Sequence, residues 1–250
     1  MKERRDEMKK AVACIALVVL ALTSTACDIG SVTLGEIKTG PTVTEEINVP
    51  VPDGATTSEV EISMGGGDLS ITVEDLDGLV EGTVAYNVEE IKHTVQTSGN
   101  RVLIEQGDIE GKRIPLGNWS DLENRWDLTL GKAPMVLTIN AGAAQADLTS
   151  LADLSASGIT MRGGAGDFKL DFGGDLMQDM RVAIDAGAAQ VTIIVPEGTA
   201  AELTFEGALT DIDAGGAWQK SGSRYVLEGE GPRITFTIRM GVGNLDLRNH

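Results

Sequence analysis

One short pattern of small, polar and alternating apolar residues recurs between residues 65 and 247. Glycine and alanine come first, an Asp, Asn or Gln follows, and apolar residues then alternate with polar ones. Such alternation puts the apolar side chains on one face of a β-strand. The five copies are GGGDLSI at 65–71, GAAQADL at 142–148, GAGDFKL at 164–170, GAAQVTI at 187–193 and GVGNLDL at 241–247.

Each copy is interpreted as a turn that leads into a strand. Small residues tolerate positive φ angles and close backbone approach, both of which exclude a bulky side chain. In the third copy the alternation predicts that Phe168 and Leu170 face inward and Lys169 outward. The predicted structural turn glycines are Gly65, Gly142, Gly164, Gly187 and Gly241.

The spacing of the copies predicts stacked units. Gly142, Gly164 and Gly187 are separated by 22 and 23 residues, and a degenerate copy, GALTDID, begins 20 residues later at Gly207. A unit of this length cannot bury its apolar face alone, but stacking neighbours form a continuous core. We therefore expect an all-β fold: a right-handed parallel β-helix or stacked β-solenoid with coils of about 20–23 residues, preceded by a short N-terminal β-strand region. The alternative is a β-sandwich with accidental self-similarity.

Three further regions precede the repeats. Residues 58–131 show short alternating runs joined by turn residues, which predict an N-terminal β region before the repeated region at 132–250. Residues 27–57 are rich in Thr, Gly, Pro and acidic residues, so they are predicted to be a flexible linker with a possible first strand around 46–51. Residues 1–26 combine five basic residues, an apolar run at 11–22 and a small-residue end, as in a secretory signal peptide. That run is shorter than the roughly 20 residues of a spanning helix.

Cys27 follows the predicted signal peptide directly. The segment LTSTAC at 22–27 resembles the lipobox of bacterial lipoproteins, although Ser24 departs from the preferred Leu, and cleavage by the ordinary signal peptidase is the alternative. The only other cysteine, Cys14, lies inside the apolar run, so the mature chain would have no internal disulfide. We expect Cys27 to carry the lipid that anchors the protein to the outer face of the bacterial cytoplasmic membrane. The structural alternative is that both cysteines are incidental.

The charge narrows the possible partners. The chain has 20 basic and 38 acidic residues, a net charge of −18. Residues 1–26 hold five basic and three acidic residues, so the mature chain would carry −20. Nucleic acid is therefore excluded as a partner. An anionic membrane surface would also repel this chain, so contact with the membrane is expected through the N-terminal lipid.

Five segments carry a resemblance to a known family: 60–69, 79–87, 164–172, 193–198 and 232–247. Through them, residues 58–248 resemble the bacterial toast-rack family of extracytoplasmic domains (DUF2154-like or DUF4097-like), a relative of the C-terminal domain of membrane proteins in cell-wall-antibiotic responses. The resemblance implies the β fold, export and a role in envelope stress, and it brings no catalytic residues. The sequence departs from the stress-response members in that their transmembrane helices are not expected here, which argues against a direct signalling role.

Candidate catalytic and metal-binding residues are few. His93 and His250 are the only histidines and cannot form a triad or a histidine-based metal site. The acidic series Asp167, Asp171, Asp175 and Asp179 could line a calcium groove or supply an acid/base pair, but in so acidic a chain a solvated face is the expected interpretation. We predict no catalytic residues, no bound metal and no cofactor.

Three functions remain possible. We favour a non-enzymatic envelope lipoprotein that acts as a binding, sensing or scaffold module for an unknown envelope protein or glycan. A carbohydrate-active β-helix enzyme is the second, but sugar subsites need aromatic side chains and only 4% of residues are aromatic. A self-associating surface or adhesion protein is the third, because open solenoid ends can pair edge to edge.

Overall fold

A computed structural model describes residues 35–109, 112–113 and 121–249 of this chain. Cys27, the predicted signal peptide and His250 lie outside the described residues. The described strands are β1 Gly35–Glu36, β2 Val43–Pro50, β3 Ser58–Val73, β4 Gly78–Tyr86, β5 His93–Ser98, β6 Arg101–Gln106, β7 Lys112–Arg113, β8 Asn124–Leu130, β9 Met135–Thr149, β10 Ala156–Asp171, β11 Met180–Ile194, β12 Gly198–Ala214, β13 Gln219–Ser221, β14 Arg224–Leu227 and β15 Gly229–Arg248. Short 3-10 helices cover Glu89–Ile91 and Leu151–Asp153.

The fold is all-β, as predicted. Thirteen strands form one large mixed sheet, and β1 and β7 form a separate parallel pair. The centre of the large sheet is a run of six long parallel strands in the spatial order β3, β9, β10, β11, β15, β12. Antiparallel strands flank this run: β4 and β2 lie beyond β8 at one end, and β14 and β13 lie beyond β12 at the other.

The long strands bend back on themselves, because the connections between them are too short for straight strands. Ala156 at the start of β10 pairs with Met135 at the start of β9, so the chain returns from the end of β9 to its start within residues 150–155. A straight strand of 15 residues would be about 45–50 Å long. Seven residue steps reach about 25 Å at most. Each long strand therefore folds near its middle into two parts, which we call its first and second leg.

The core lies between the two layers formed by these legs. In β10, Ile159 and Met161 of the first leg are buried, and so are Phe168 and Leu170 of the second. This confirms the inward direction predicted for Phe168 and Leu170, while the side chain of Lys169 lies outside, near Asp147. The facing apolar rows of neighbouring strands provide the hydrophobic stabilisation of the fold.

The order of the strands differs in part from the predicted solenoid. β9, β10 and β11 are successive neighbours and pair residues 22 and 23 apart. β15, however, pairs with both β11 and β12 and separates them. The prediction that the copy at Gly207 stacks on the copy at Gly187 is therefore wrong, because a strand from farther along the chain occupies that place. The handedness of the coil and its length elsewhere stay predictions.

The register of β12 also corrects the alignment of that degenerate copy. Gly207 pairs with Met240 and Asp211 with Asn244, so Ala208 lies beside the repeated glycine position at Gly241. Sequence alignment alone placed Gly207 there, one residue too early.

The N-terminal regions belong to the same sheet. β2 pairs with β4, and Ile47 and Val49 are buried, so this part of the predicted linker lies within the fold. The strand anticipated around 46–51 lies at Val43–Pro50. Among the described residues, no helix has the length and apolar character needed to cross a membrane.

A candidate binding groove over the strand bends

Five glycines stack where the long strands bend. A β-carbon added to Gly142, Gly164, Gly187 or Gly241 would lie 2.3, 2.4, 2.5 or 2.7 Å from the carbonyl oxygen of the glycine before it in the stack, which begins at Gly65. No side chain fits at such distances from a backbone atom. These are the five predicted turn glycines, and the structure places them inside strands and not in turns that precede strands. We call them the glycine ladder.

Close backbone approach, and not positive φ, is what the ladder requires. None of the five glycines has a positive φ angle. Two residues farther on, however, Gly166 and Gly243 have φ angles of 147° and 142°. A β-carbon on either would lie within 2 Å of a carbonyl oxygen of the neighbouring strand. Close backbone approach at the ladder and positive φ angles at Gly166 and Gly243 thus both exclude side chains from the bend, so the backbone there is exposed.

Two side chains complete the β3 end of the ladder. β6 pairs with the first leg of β3 and β8 with the second, so neither strand pairs with the bend itself. The side-chain oxygen of Gln106 accepts a hydrogen bond from Gly65 N at 2.9 Å, and Asn124 donates to Gly66 O at 2.6 Å. Asn124 is buried, and its oxygen accepts from the indole nitrogen of Trp126 at 2.8 Å. Side chains thus satisfy backbone groups that have no strand partner.

The bare backbone is the floor of a groove. A pocket of about 1030 Å³ lies over Gly65, Gly142 and Gly164, and a shallower depression of about 630 Å³ continues over Gly187 and Gly241. Arg162 and Gly163 line both, so they form one path across the bends. The other side chains of the pocket wall are mostly apolar and include Ile37, Val88, Ile91, Ile109 and Leu122.

A polar row follows the groove on the first legs. In register across the sheet it consists of Ser63, Asn140, Arg162, Asp185, Arg239 and Glu206. Arg239 Nε donates a hydrogen bond to Glu206 Oε2 at 3.1 Å, and its Nη1 lies 3.7 Å from Asp185 Oδ1; the hydrogen bond to Glu206 is the main cause that raises the pKa of Arg239. Arg162 donates to Asn140 at 3.3 Å and forms no ion pair with the described residues. In this acidic molecule, Arg162 is therefore a cationic donor available at the centre of the groove.

A second polar row lies three residues beyond the ladder, on the second legs. In this row amide side chains separate the carboxylates, so no two carboxylates lie on adjacent strands and like charges are kept apart. Its members, all exposed, are Asp68, Gln145, Asp167, Gln190, Asn244 and Asp211.

The other acidic residues of the predicted series lie apart from Asp167. Asp171 accepts a hydrogen bond from Gly173 N, and Asp179 accepts one from Arg233 N. Asp175 donates its backbone N–H to Asp153, which lowers the pKa of Asp153. The described residues contain no group of three or more His, Cys, Asp or Glu that could hold a metal ion.

His93 does not line the groove, although it pairs in register with Gln106, which does. Its ring meets Trp126 edge to face, with centroids 6.2 Å apart, and its Nδ1 lies 3.7 Å from Glu45 Oε2. Burial lowers the pKa of His93, so the ring is neutral at pH 7. A hydrogen bond from Lys92 lowers the pKa of Glu45.

Sequence reasoning singled out, as turn glycines, the residues that form the groove floor, but it predicted no groove and none of the polar residues along it. Gln106, Asn124, Asn140 and Arg162 lie outside the repeated phrase, in segments whose polar residues look like ordinary solvated positions. The only signal was positional, since Asn140 and Arg162 each come two residues before a repeated glycine.

Comparison with known families identifies the fold. The family model described as "N-terminal domain of toast_rack, DUF2154" matches residues 38–194. The chain belongs to the toast-rack family. The match begins before the predicted resemblance at 58–248 and ends in β11, whereas the sheet continues to Arg248.

A solved structure from Clostridium sporogenes shares this architecture. A protein of Clostridium sporogenes, provisionally described as a cell adhesion protein, is 20% identical with a TM-score of 0.76; the match covers 84% of this chain and 100% of that one. A Bacteroides fragilis protein provisionally described as an adhesin is 14% identical with a TM-score of 0.33, covering 83% of this chain and 97% of that one. The first likeness supports the fold. A comparison with curated proteins finds no match.

Proposed function

We propose that this toast-rack protein is a non-enzymatic binding module, held at the outer face of the bacterial cytoplasmic membrane by a lipid on Cys27. The groove over the glycine ladder would hold an extended polar polymer of the cell envelope, and a glycan strand is the polymer we favour. The provisional description of the Clostridium sporogenes protein as a cell adhesion protein is compatible with this role.

One observation carries the proposal: the groove runs across several parallel strands and offers similar contacts on each. Adjacent strands are about 4.8 Å apart. A ligand that lies across them therefore meets bare backbone and a polar side chain at regular intervals, which suits a polymer better than a compact small molecule. The stacked coil proposed for the repeats, supported by the 22- and 23-residue offsets of β9, β10 and β11, produces this regularity.

The chemistry of the lining indicates how such a polymer would bind. Arg162 supplies hydrogen-bond donors for carboxylate, carbonyl or hydroxyl oxygens, whereas both N–H groups of Asn140 already bond to Glu61 and Ser63. The apolar wall accommodates less polar groups. The lining residues described include no Trp, Tyr or Phe, so ring stacking does not contribute. Each contact would be weak, and retention would depend on many copies displayed on one membrane.

Co-sedimentation with purified peptidoglycan sacculi tests this function. We expect the wild-type protein to pellet with sacculi, and Arg162→Ala to bind about tenfold more weakly, the effect of losing one charge-assisted hydrogen bond. Arg181→Ala is the matched control, because it removes the same charge from an exposed position at the start of β11. No binding by the wild type, or equal losses in both variants, would exclude the groove as a glycan site.

A further inference from the structure

The second leg of β12 is an open edge of the sheet. β12 pairs with β15 along its whole length, but on its other side β14 covers only Ala201–Thr204. Within the described part of the chain, no strand pairs with the outer side of residues 207–214. A strand edge of this kind presents unpaired N–H and C=O groups to solvent.

The hydrogen bonds of β12 show which residues present these groups. Gly215 N donates to Leu247 O of β15 at 2.9 Å. Because backbone groups alternate sides along a strand, Asp213 and Asp211 also direct theirs toward β15. Thr210, Ile212 and Ala214 therefore direct their N–H and C=O groups away from the sheet.

The apolar residues of this edge are incompletely covered. Ile212 and Ala214 pair in register with Leu245 and Leu247, which are 0% and 1% exposed, yet Ile212 and Ala214 are only partly buried. On the outer face Leu209 is 75% exposed. Every other long strand has a neighbour on each side of its second leg, so the lack of one more strand explains the incomplete burial at β12.

The charge of the edge determines which strand would fit. Asp211 and Asp213 are exposed and form no ion pair with the described residues. Among the described strands, β2 is the opposite edge of the second-leg layer, and it carries Glu45 and Glu46. A second copy of this chain, with its net charge of −18, would therefore bring like charges together.

We propose that the outer edge of β12 between Leu209 and Ala214 binds an extended segment of a partner protein that carries lysine or arginine between apolar residues. The segment would add one strand to the sheet through the backbone of Thr210, Ile212 and Ala214. Its apolar side chains would cover Ile212 and Ala214 on the inner face, and its cationic side chains would pair with Asp211 and Asp213 on the outer face, beside Leu209. Backbone hydrogen bonds would supply affinity, and the two aspartates would select the partner.

Peptide binding measured by fluorescence anisotropy tests this edge. The probe is a labelled nine-residue peptide that alternates lysine with valine, compared with the same peptide carrying glutamate for lysine. A third peptide keeps lysine but is N-methylated at alternate amides, which removes the donors of one strand edge. We expect the lysine peptide to bind at least about tenfold more tightly than either of the other two.

Charge-reversed variants locate the site on the protein. Asp211→Lys combined with Asp213→Lys should lose the lysine peptide and bind the glutamate peptide instead. Glu74→Lys combined with Asp75→Lys is the matched control, because it changes the net charge equally at exposed residues after β3, and it should behave as the wild type.

Three results would overturn the proposal. Equal binding of the N-methylated peptide would mean that charge alone attracts the probe. Equal effects of the two variant pairs would place the peptide elsewhere. Concentration-dependent dimers in sedimentation velocity that Asp211→Lys with Asp213→Lys alters would assign the edge to a second copy of this chain.

Discussion

At the scale of single residues, the glycine ladder shows why a small residue recurs. The β-carbon missing from Gly164 would lie 2.4 Å from Gly142 O, so glycine is required by contact between strands and not by the conformation of its own backbone. In the same strand, a β-carbon on Gly158 would lie 3.7 Å from Arg181 O, an ordinary contact distance. Gly158 can therefore accept a β-carbon without a clash, whereas Gly164, in the same strand, cannot.

This difference gives a matched pair of variants. Gly164→Ala should lower the free energy of unfolding by about 2 kcal/mol or more, because β9 and β10 must separate at the bend. Gly158→Ala should lie within about 0.5 kcal/mol of the wild type, since a β-carbon 3.7 Å from Arg181 O needs no movement of its neighbours. Urea denaturation of both proteins measures the two values. Equal small losses would show that the ladder glycines are not in backbone contact.

His93 gives a prediction about pH. Burial lowers the pKa of folded His93 below its ordinary value of 6.5, so the unfolded chain binds the proton more readily. The stability contributed by the neutral ring is therefore present above pH 6.5 and is lost as the pH falls below it. Urea denaturation should show a larger loss between pH 7.5 and 5.5 in the wild type than in His93→Gln. Identical losses would contradict the lowered pKa.

At the scale of elements, the position of β15 is the feature that the repeat did not reveal. β15 comes last among the long strands, yet it lies between β11 and β12. The chain passes from β11 to β12 and through the β13–β14 hairpin before β15 fills the gap between them. The order of these strands in the sheet follows from the pairing of β15 with β11 on one side and with β12 on the other, and not from their order in the chain.

Disulfide cross-linking distinguishes this order from a strictly sequential one. Gln190 pairs with Asn244, and Asp211 pairs with Asn244 from the other side. With Cys14 and Cys27 replaced by serine, cysteines at 190 and 244 should oxidise readily, because neighbouring strands bring their Cα atoms within disulfide range. Cysteines at 190 and 211 should not, since one strand separates them by about 10 Å. Non-reducing electrophoresis measures the cross-linking of both pairs. Cross-linking of 190 with 211 but not of 190 with 244 would show that β12, and not β15, is the neighbour of β11.

At the scale of the whole molecule, the two ends of the row of six long strands differ: strands cover the second leg of β3, but no described strand covers that of β12. Gln106 and Asn124 satisfy the bend at β3, whereas the second leg of β12 has no such cover. The proposed groove ligand and the proposed partner strand would contact different parts of this sheet, so one would not exclude the other. The predicted linker and lipid would hold both surfaces clear of the membrane.

The lipid is the remaining whole-molecule prediction. Cys27→Ala should move the protein from the membrane fraction to the soluble envelope fraction, or leave it unprocessed, because no second anchor is predicted. Fractionation followed by immunoblotting measures this, and metabolic labelling with a fatty acid detects the acyl chain directly. A wild-type protein that takes up no label would exclude lipidation at Cys27.

The sequence by itself determined the all-β class, the faces of the strands and the positions of the stacked glycines. Each of these depends on local properties: alternation decides which side of a strand is apolar, and the absence of a side chain marks where backbones meet. Phe168, Leu170 and the five ladder glycines could therefore be found from residue order alone.

The tertiary structure decided which strands are neighbours and which side chains complete the groove. β15 reaches β11 from 54 residues away in register, and Gln106 reaches Gly65 from 41 residues away. The repeated pattern marks both β11 and β15 as strands of the stack but does not determine their order, and no local pattern links Gln106 with Gly65. The open edge of β12 follows from the same non-local choice: β15 pairs with its inner side along its whole length, and no described strand pairs with the outer side of its second leg.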